Sequence, residues 1–308
     1  MHILQCERAA GLSTVKFLTF FFRAWAAIFP ALNLSALAEE DTMPSQDRNE
    51  RYERGLNSLR TLDAEASAAV QKSLQDISPD MGRFIIEFAY GDVFSRPALD
   101  PKSRQVATIA ALTALGNAEP QLKFHIGGAL NVGVTPQEIV EVIYVATIFS
   151  GFPAGLNAVS ASREVFKARG VQVSASTEGE TASRRERGLK ARAATSGGPG
   201  QALLDSFKDI APAMGEFVLD FAYGDVLSRR LLAPKWKEIA SIAACVAKGT
   251  CHSQLKVHIK AGARVGLTKE EIVEVVNQMA VYAGFPAALN GLSAVREAYA
   301  EMEPQKAK

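Results

Sequence analysis

The sequence predicts an all-α fold in which two tandem helical bundles pack as a pseudo-dimer. The first observation is an internal repeat: FAYGDV at 88–93 returns at 221–226, and this offset of 133 residues aligns the two halves without a gap. The second is a set of helix start and stop signals that recur in both halves. The third is the lack of alternating β-branched runs, because alanine-rich apolar faces dominate.

The repeat defines the domain organisation. Between 81–166 and 214–299, about half of the positions are identical. We therefore predict a first domain over 51–170, called repeat one, and a second over 184–303, called repeat two. Residues 171–183 are small and polar, which is typical of a linker. Two copies are too few for a solenoid, so a pseudo-twofold pair is favoured.

Local signals justify the first two helices of the well-matched region. Asp100 is a capping residue before a proline, and it predicts a helix that begins at Pro101 and ends at Gly116. The next helix is predicted over 119–131 and is closed near Gly133.

Two further helices follow in the same repeat. Thr135 and Glu138 have the spacing of a capping box, and Thr268 with Glu271 repeats it. Gly151-Phe152-Pro153 breaks the chain, and a last helix is expected to end near Lys167.

Composition bounds the function classes. The chain has 308 residues, 48% of them hydrophobic and 22% charged, with a formal net charge of +1. This is a soluble globular composition. The balanced charge argues against a nucleic-acid partner, which would need clustered Lys and Arg.

The N-terminal segment resembles a secretory signal peptide over residues 1–38. A basic stretch precedes an uncharged apolar run, and Ala36-Leu37-Ala38 is an A-x-A cleavage pattern. We therefore expect a periplasmic or secreted protein without a membrane anchor after cleavage. The alternative interpretations are an amphipathic anchor and a different start codon. The alternative location is the cytoplasm.

The two cysteines outside this segment are Cys245 and Cys251. In an exported protein they could form a disulfide. The preferred interpretation is one buried thiol and one exposed thiol.

Two histidines are the main catalytic candidates, because the chain has only four and these two recur. His125 and His258 follow Gln121 and Gln254 by four residues, so each pair shares a helix face. Glu141 and Glu274, on the following helix, are expected to face the histidines and form acid/base pairs. The alternative is a packed histidine and a solvated acid.

Other repeated side chains are candidates for substrate binding. Lys123 and Lys256 could hold a carboxylate, although a solvated helix face explains them equally. Phe152 and Phe285 could form pocket walls or simply mark a glycine–proline break. Tyr90, Asp92 and Arg96 also recur at the same offset. The sequence has no C-x-x-C, H-E-x-x-H or phosphate-binding glycine loop, and it predicts no metal site.

The ordered motifs resemble those of the carboxymuconolactone decarboxylase family. They are a P-K-x-[RK]-[QE] helix start, Q-L-K-x-H-I, T-x-x-E-I-V-E-V and G-F-P-A-x-L-N, and they cover both repeats. The resemblance implies an all-α, cofactor-free and oligomeric protein. It also implies one of two chemistries, decarboxylation of a carboxylated lactone or, in the alkylhydroperoxidase D-like branch, thiol-based peroxide reduction.

The peroxide-reducing branch carries a Glu, a C-x-x-C and a His, and this chain matches it incompletely. Glu238, Cys251 and His258 match in repeat two, but Gln254 replaces the second cysteine. In repeat one only His125 matches, with Gln105 at the Glu position. The resemblance therefore favours the decarboxylase side.

The sequence thus predicts a lyase for a small carboxylated lactone or related acid, with His as general acid/base and with repeat two as the more active copy. A thiol-dependent peroxide reductase that uses Cys251 is the alternative, although a buried Cys245 is not expected to resolve its oxidised form. A non-catalytic binding or assembly protein is the second alternative. By the resemblance, we expect a homo-oligomer, a trimer that contains six bundles.

Overall fold

The computed structural model describes residues 45–173 and 182–303, and all regular structure in these ranges is helical. The predicted all-α fold is confirmed. The signal-peptide interpretation of 1–38 and most of the predicted linker lie outside the described residues. No described helix is both long enough and apolar enough to cross a membrane.

Within the described residues, repeat one contains eight helical segments, of which one is a π-helix. They are α1 (Ser45–Leu62), α2 (Ala66–Leu74), α3 (Pro79–Phe84), π1 (Ile85–Phe94), α4 (Pro101–Leu115), α5 (Glu119–Asn131), α6 (Pro136–Ser150) and α7 (Phe152–Ala168), where α1 begins before the repeat.

Repeat two has the same order of segments. They are α8 (Arg184–Thr195), α9 (Gly200–Asp205), α10 (Pro212–Phe217), π2 (Val218–Leu227), α11 (Pro234–Lys248), α12 (His252–Arg264), α13 (Lys269–Tyr282) and α14 (Phe285–Met302).

The predicted helix caps are present. The Asp100 side chain accepts from the backbone N–H groups of Lys102 and Ser103, and Gly116 ends α4 in the left-handed region at φ 71°. Thr135 and Thr268 each form a capping box with the glutamate three residues later. These contacts satisfy N–H groups that a helix start leaves unpaired.

In each repeat an α-helix runs directly into a π-helix, and the FAYGDV motif lies within it. The helices that begin the repeats, α1 and α8, cross these π-helices very closely. A Cβ atom on Gly55 would come within 2.0 Å of the Ile86 carbonyl oxygen, and one on Gly188 within 2.2 Å of that of Leu219. Only glycine fits at these crossings, which explains why R-x-E-R-G-L is kept in both repeats.

Ion pairs hold the same crossings. Arg51 Nε lies 3.0 Å from an oxygen of Asp92, and Arg184 lies 2.6 Å from Asp225. The repeated aspartates are therefore structural partners of the repeated arginines.

The centre of the molecule is the packing of α4 against α11, the same helix in the two repeats. Residues 103–114 and 237–247 are buried, and one hydrophobic core draws on both repeats. Trp236 Nε1 donates to Ser103 Oγ at 3.0 Å, and these two residues are counterparts at the 133-residue offset. A residue that contacts its own counterpart lies on a twofold axis. The repeats therefore pack as a pseudo-dimer about an axis between α4 and α11.

Reciprocal contacts confirm this pseudo-symmetry. Arg96 of repeat one binds Glu274 of repeat two at 2.8 Å, and Arg229 of repeat two binds Glu141 of repeat one at 2.8 Å. Two pairs of phenylalanine rings follow the same rule, Phe88 with Phe285 and Phe152 with Phe221.

Candidate active site

The two recurring histidines lie where the repeats meet, and each is touched by an aromatic ring of the other repeat. The Tyr282 ring lies 5.4 Å from the His125 ring, and the Phe149 ring lies 5.2 Å from the His258 ring. Tyr282 and Phe149 are counterparts. Each site is therefore composite, with its histidine from one repeat and this ring from the other.

In repeat two, His258 is paired with a buried carboxylate. His258 Nδ1 lies 2.7 Å from Glu238 Oε2, and the exposed fractions of the two residues are 8% and 1%. The carboxylate accepts the Nδ1 proton, which fixes the ring orientation and directs Nε2 away from α11. Phe149 has no hydrogen-bonding group, and among the described residues no side chain hydrogen-bonds Nε2. This nitrogen is available for a substrate.

A cavity of about 710 Å³ lies beside this pair, and we call it the repeat-two cavity. It is bordered by α8, the end of π2 and the start of α11, and Glu238 is part of its wall. Five cationic side chains line it against only two carboxylates, those of Glu186 and Glu238. The cations are Arg187, Lys190, Arg229, Arg230 and Lys237. The wall therefore has a positive potential that favours anionic ligands.

In repeat one, His125 has different partners. His125 Nδ1 lies 2.9 Å from Gln105 Oε1, and Tyr282 Oη lies 3.0 Å from Nε2. A neutral imidazole that donates from Nδ1 and accepts at Nε2 satisfies both contacts. Burial lowers the pKa of His125 to about 3, so the ring is uncharged at neutral pH. Both nitrogens are occupied, and the ring is poorly suited to deliver a proton.

Larger side chains close the repeat-one site. The ring of Phe94 stacks 6.2 Å from that of His125, and Phe124 meets it edge-on at 5.0 Å. Their counterparts in repeat two are Leu227 and Val257, which are smaller. Phe94 and Phe124 also pack against an apolar cluster that includes Leu59 and Leu62. Leu227 lines the repeat-two cavity, so the larger ring of Phe94 occupies more of the equivalent space in repeat one.

The expected pairing of Glu141 and Glu274 with the histidines is wrong. Glu141 binds Arg229, and Glu274 binds Arg96 and the buried Arg104. Both carboxylates point to the other repeat, because α6 and α13 pack across the pseudo-twofold axis. The partners of the histidines come instead from α4 and α11.

The predicted substrate-binding glutamines and lysines are not at the histidines. Gln121 and Gln254 are exposed on the surface. Lys123 forms ion pairs with Glu119 and Glu164, and Lys256 does so with Glu297 and Glu301. None of the four lines the repeat-two cavity, because their positions on α5 and α12 face α7, α14 or solvent.

The two phenylalanines of the glycine–proline breaks also lie away from the histidines. Phe152 and Phe285 are more than half exposed. Phe152 lines a shallow apolar groove of about 320 Å³ with Leu156 and Phe221. No histidine lines this groove. Phe152 therefore forms the wall of a groove that is separate from the two histidine sites.

Cys245 and Cys251 are both free thiols, the first buried and the second partly exposed, as the preferred interpretation expected. The two thiols shift each other's pKa, which the sequence did not indicate. The interaction with Cys245, with smaller contributions from Thr250, Lys248 and His258, lowers the pKa of Cys251 to about 6. The same interaction and burial raise the pKa of Cys245.

Within residues 45–173 and 182–303, no group of three or more His, Cys, Asp or Glu side chains is arranged to hold a metal ion. The chemistry available at the repeat-two site is therefore described by a histidine, a carboxylate, cations and thiols.

Comparison with protein families identifies the duplicated unit. The model of the carboxymuconolactone decarboxylase family matches residues 79–164 and again residues 212–297, which together form more than half of the chain. The chain belongs to the carboxymuconolactone decarboxylase family. The two matches begin and end at equivalent positions, so each repeat is one family domain.

Three curated relatives each match the chain over about the length of one repeat. The chain is 38% identical over 125 residues to the 4-carboxymuconolactone decarboxylase of Acinetobacter baylyi, which is 40% of this chain and 91% of that protein. It is 33% identical over 100 residues to the nitrosuccinic acid decarboxylase of Metarhizium robertsii, which is 32% of this chain and 69% of that protein. An uncharacterised 15.0 kDa protein of Paracoccus denitrificans is 34% identical over 96 residues, 31% of this chain and 72% of that protein.

The sequence analysis did not identify Tyr282 or the cations that line the repeat-two cavity. The alignment of the two repeats contained an indication of both. Tyr282 replaces Phe149, Lys190 replaces Asn57, and Arg230 replaces Pro97 between otherwise similar repeats. Positions where the repeats differ in chemistry surround the histidines, whereas positions that they share mostly build the fold.

Proposed function

We propose that the protein is a cofactor-free decarboxylase of a small carboxylated lactone or related acid, and that the reaction takes place in repeat two. The observation that carries this proposal is the Glu238–His258 pair, hydrogen-bonded at 2.7 Å beside the repeat-two cavity. A positioned acid/base group next to a cation-lined cavity is the arrangement that an anionic substrate requires.

The chemistry follows from these groups. Loss of CO₂ breaks the carbon–carboxylate bond and leaves an electron pair, which an adjacent carbonyl of the substrate delocalises. Protonated His258 donates the Nε2 proton to the carbon and later regains a proton from solvent. Glu238 holds the ring at Nδ1 and so fixes its orientation.

The cavity cations have the role of binding the substrate. Lys190 and Arg230 have no cationic counterpart in repeat one, where Asn57 and Pro97 stand. The other three cations have cationic counterparts, which are Arg54, Arg96 and Arg104. We therefore assign the main contact with substrate carboxylates to Lys190 and Arg230.

The names of two relatives support this reaction class. The Acinetobacter baylyi protein is a 4-carboxymuconolactone decarboxylase, and the Metarhizium robertsii protein is a nitrosuccinic acid decarboxylase. Both names describe the loss of a carboxyl group from a small acid. Both acids are therefore the first substrates to test.

The test compares the two histidines as matched variants. CO₂ release is measured from 4-carboxymuconolactone and from nitrosuccinate, for the wild type, His258→Ala and His125→Ala. We expect His258→Ala to lower kcat by about 10²–10⁴-fold, the usual contribution of a general acid. For His125→Ala, kcat per folded molecule should stay close to that of the wild type. An equal decrease in kcat in the two variants would contradict the assignment of the reaction to repeat two.

A second function is favoured by one observation, the lowered pKa of Cys251, which is the N-cap residue of α12. Thiol-dependent peroxide reduction needs a resolving thiol, and Cys245 is the other free thiol among the described residues. The test is hydroperoxide consumption with a dithiol reductant, for the wild type, Cys251→Ser and Cys245→Ser. Turnover that both serine variants abolish would favour this function over the lyase.

A further inference from the structure

Repeat one has a small apolar cluster beside His125 whose large side chains are not kept in repeat two. The cluster includes Leu59 and Leu62, which are 1% and 2% exposed, and the rings of Phe94 and Phe124 pack against it. Both rings also lie against the ring of His125. Hydrocarbon therefore covers one side of this histidine.

All four of these large side chains are replaced at the 133-residue offset by residues that are smaller or polar. Leu227 and Val257 stand in place of the two phenylalanines, and Arg192 and Thr195 in place of the two leucines. Leu227 and Thr195 line the repeat-two cavity. Thr195 Oγ1 donates to the carbonyl oxygen of Ala191 at 2.9 Å, so its hydroxyl is already used within α8. Leu227 and Thr195 therefore leave more room at the cavity wall than the repeat-one residues would.

The rest of the cavity wall combines apolar and cationic residues. Ala191, Leu232 and Val265 are apolar, whereas Lys190 and Arg230 are cations. Such a wall fits a ligand that has hydrocarbon as well as carboxylates, because apolar contact area adds to the binding of the charged groups. A ring offers that area in a fixed shape and loses little conformational freedom on binding. A short open chain offers less area and loses more freedom.

We propose that Leu227 and Thr195 are specificity-determining residues of the repeat-two site, and that the room they leave selects acids built on a ring over short open-chain acids of the same charge. The inference rests on the proposed function for its effect on turnover. The binding preference does not depend on a reaction and is measured separately.

Binding is tested with two unreactive acids, cyclohexane-1,2-dicarboxylate and succinate. Both carry carboxylates on adjacent carbons, so they differ mainly in the ring. The readout is the rate at which diethylpyrocarbonate modifies His258, located by peptide mass spectrometry, because a ligand in the cavity shields Nε2. We expect the ring acid to protect His258 of the wild type at a concentration lower by about ten-fold or more, the discrimination that a few methylenes give in an apolar pocket. Equal protection by the two acids would overturn the proposal.

Two variants install the repeat-one residues. Leu227→Phe and Thr195→Leu should each remove most of the difference between the two acids, because the larger side chain takes the room of the ring. A general loss of structure would weaken protection by both acids alike, so the ratio of their protecting concentrations reports specificity. Phe94→Leu, the reverse change in repeat one, is the control and should keep the wild-type ratio. A wild-type ratio in Leu227→Phe, or an equal decrease in Phe94→Leu, would overturn the assignment.

Turnover gives a second readout. Leu227→Phe should lower kcat/KM for 4-carboxymuconolactone more than for nitrosuccinate, so that the ratio of the two values falls by about ten-fold or more. A ratio that stays at the wild-type value would overturn the assignment. If the wild type decarboxylates neither acid while the ring acid still protects His258 selectively, the proposed function fails and the role of Leu227 and Thr195 in binding stands.

Discussion

A single hydroxyl distinguishes the side chains that touch the two histidines across the pseudo-twofold axis. Tyr282 carries it and bonds Nε2 of His125, whereas Phe149 lacks it beside His258. A second difference, Gln105 against Glu238, places a neutral group behind one ring and a carboxylate behind the other. Two substitutions are therefore enough to give related histidines different chemistry.

The thiol pair gives a prediction at the same scale. The thiolate is the reactive form of cysteine, and the pKa of Cys251 is lowered from its ordinary value near 9 to about 6. Iodoacetamide should therefore alkylate Cys251 at a nearly constant rate from pH 8 down to about 7, at about half that rate near pH 6, and more slowly below. Mass spectrometry of the Cys251 peptide over a pH series provides the measurement.

Cys245→Ala is the control for this titration. It removes the interaction that is the largest cause of the shift, so the midpoint of alkylation should move to higher pH. A wild-type midpoint near 9, or one that Cys245→Ala leaves unchanged, would show that the two thiols do not interact in solution.

The residue types at the site were predictable from sequence, but their partners were not. His258, Glu238 and Cys251 lie at the repeat-two site, and His125 lies at the equivalent position of repeat one. Glu141 was assigned to the wrong partner because sequence spacing reports neighbours within a helix, whereas its orientation is set by packing between the repeats. The interaction of the two thiols depends on the turn at Gly249, which a pattern of apolar residues does not encode.

At the scale of helices, the close crossings of α1 on π1 and of α8 on π2 are set by glycine. Gly55→Ala would bring a methyl group against the Ile86 carbonyl, and Gly188→Ala would do the same at Leu219. We expect each change to lower the free energy of unfolding by about 1–3 kcal/mol, the usual cost of overpacking. Urea denaturation followed by circular dichroism measures this cost.

Gly82→Ala is a matched control for these variants. The added Cβ would meet its nearest neighbours at 3.6 Å or more, which is ordinary contact, and the position lies inside the helix α3. Alanine favours helix more than glycine does, so stability should be unchanged or slightly higher. Equal destabilisation at positions 55 and 82 would contradict the role given to the crossing.

Helix starts and ends were largely predictable, since Asp100, Thr135, Thr268 and Gly116 act through local hydrogen bonds and backbone conformation. The π-helices were not. They lie where α1 and α8 approach the backbone closely, and residue propensity carries no record of such a contact.

At the scale of the whole molecule, two reciprocal ion pairs join the repeats, and their carboxylates have different numbers of arginine partners. Glu141 is held by Arg229, whereas Glu274 is held by both Arg96 and Arg104. Arg229→Met should leave a buried carboxylate without its main partner, which typically costs about 3–5 kcal/mol. Arg96→Met should cost less, because Arg104 remains. Thermal unfolding of the two variants tests the difference.

A double variant checks the origin of this cost. If the loss in Arg229→Met comes from the uncompensated charge, adding Glu141→Gln should restore part of it. If the stability losses of the two single variants simply add in the double variant, Arg229 acts through contacts other than Glu141.

Exposed apolar residues recur in pairs at the same offset, and they support the expected self-association. Three residues of each repeat precede its π-helix and are about half exposed or more. They are Ile77, Met81 and Phe84 in repeat one and Ile210, Met214 and Phe217 in repeat two. Apolar surface of this kind is typical of an interface. We predict a homotrimer of the 33.0 kDa chain, with light scattering as the measurement.

Charged substitutions test whether these residues form the interface. Phe84→Glu with Phe217→Glu should lower the measured mass to that of one chain. Met302→Glu is the control, because Met302 is also exposed but has no apolar counterpart in repeat one. A monomeric wild type at micromolar concentration would refute the assembly.

The contact of Trp236 with Ser103 on the pseudo-twofold axis has an evolutionary consequence. In a true homodimer, every mutation appears in both subunits, and the two composite sites must remain identical. Once the two subunits are fused in one gene, a mutation at position 282 no longer changes position 149. The two histidine sites can then differ, and here one has Gln105 and Tyr282 as partners whereas the other has Glu238 and Phe149. A fused chain therefore permits two different histidine sites, which the symmetry of a homodimer forbids.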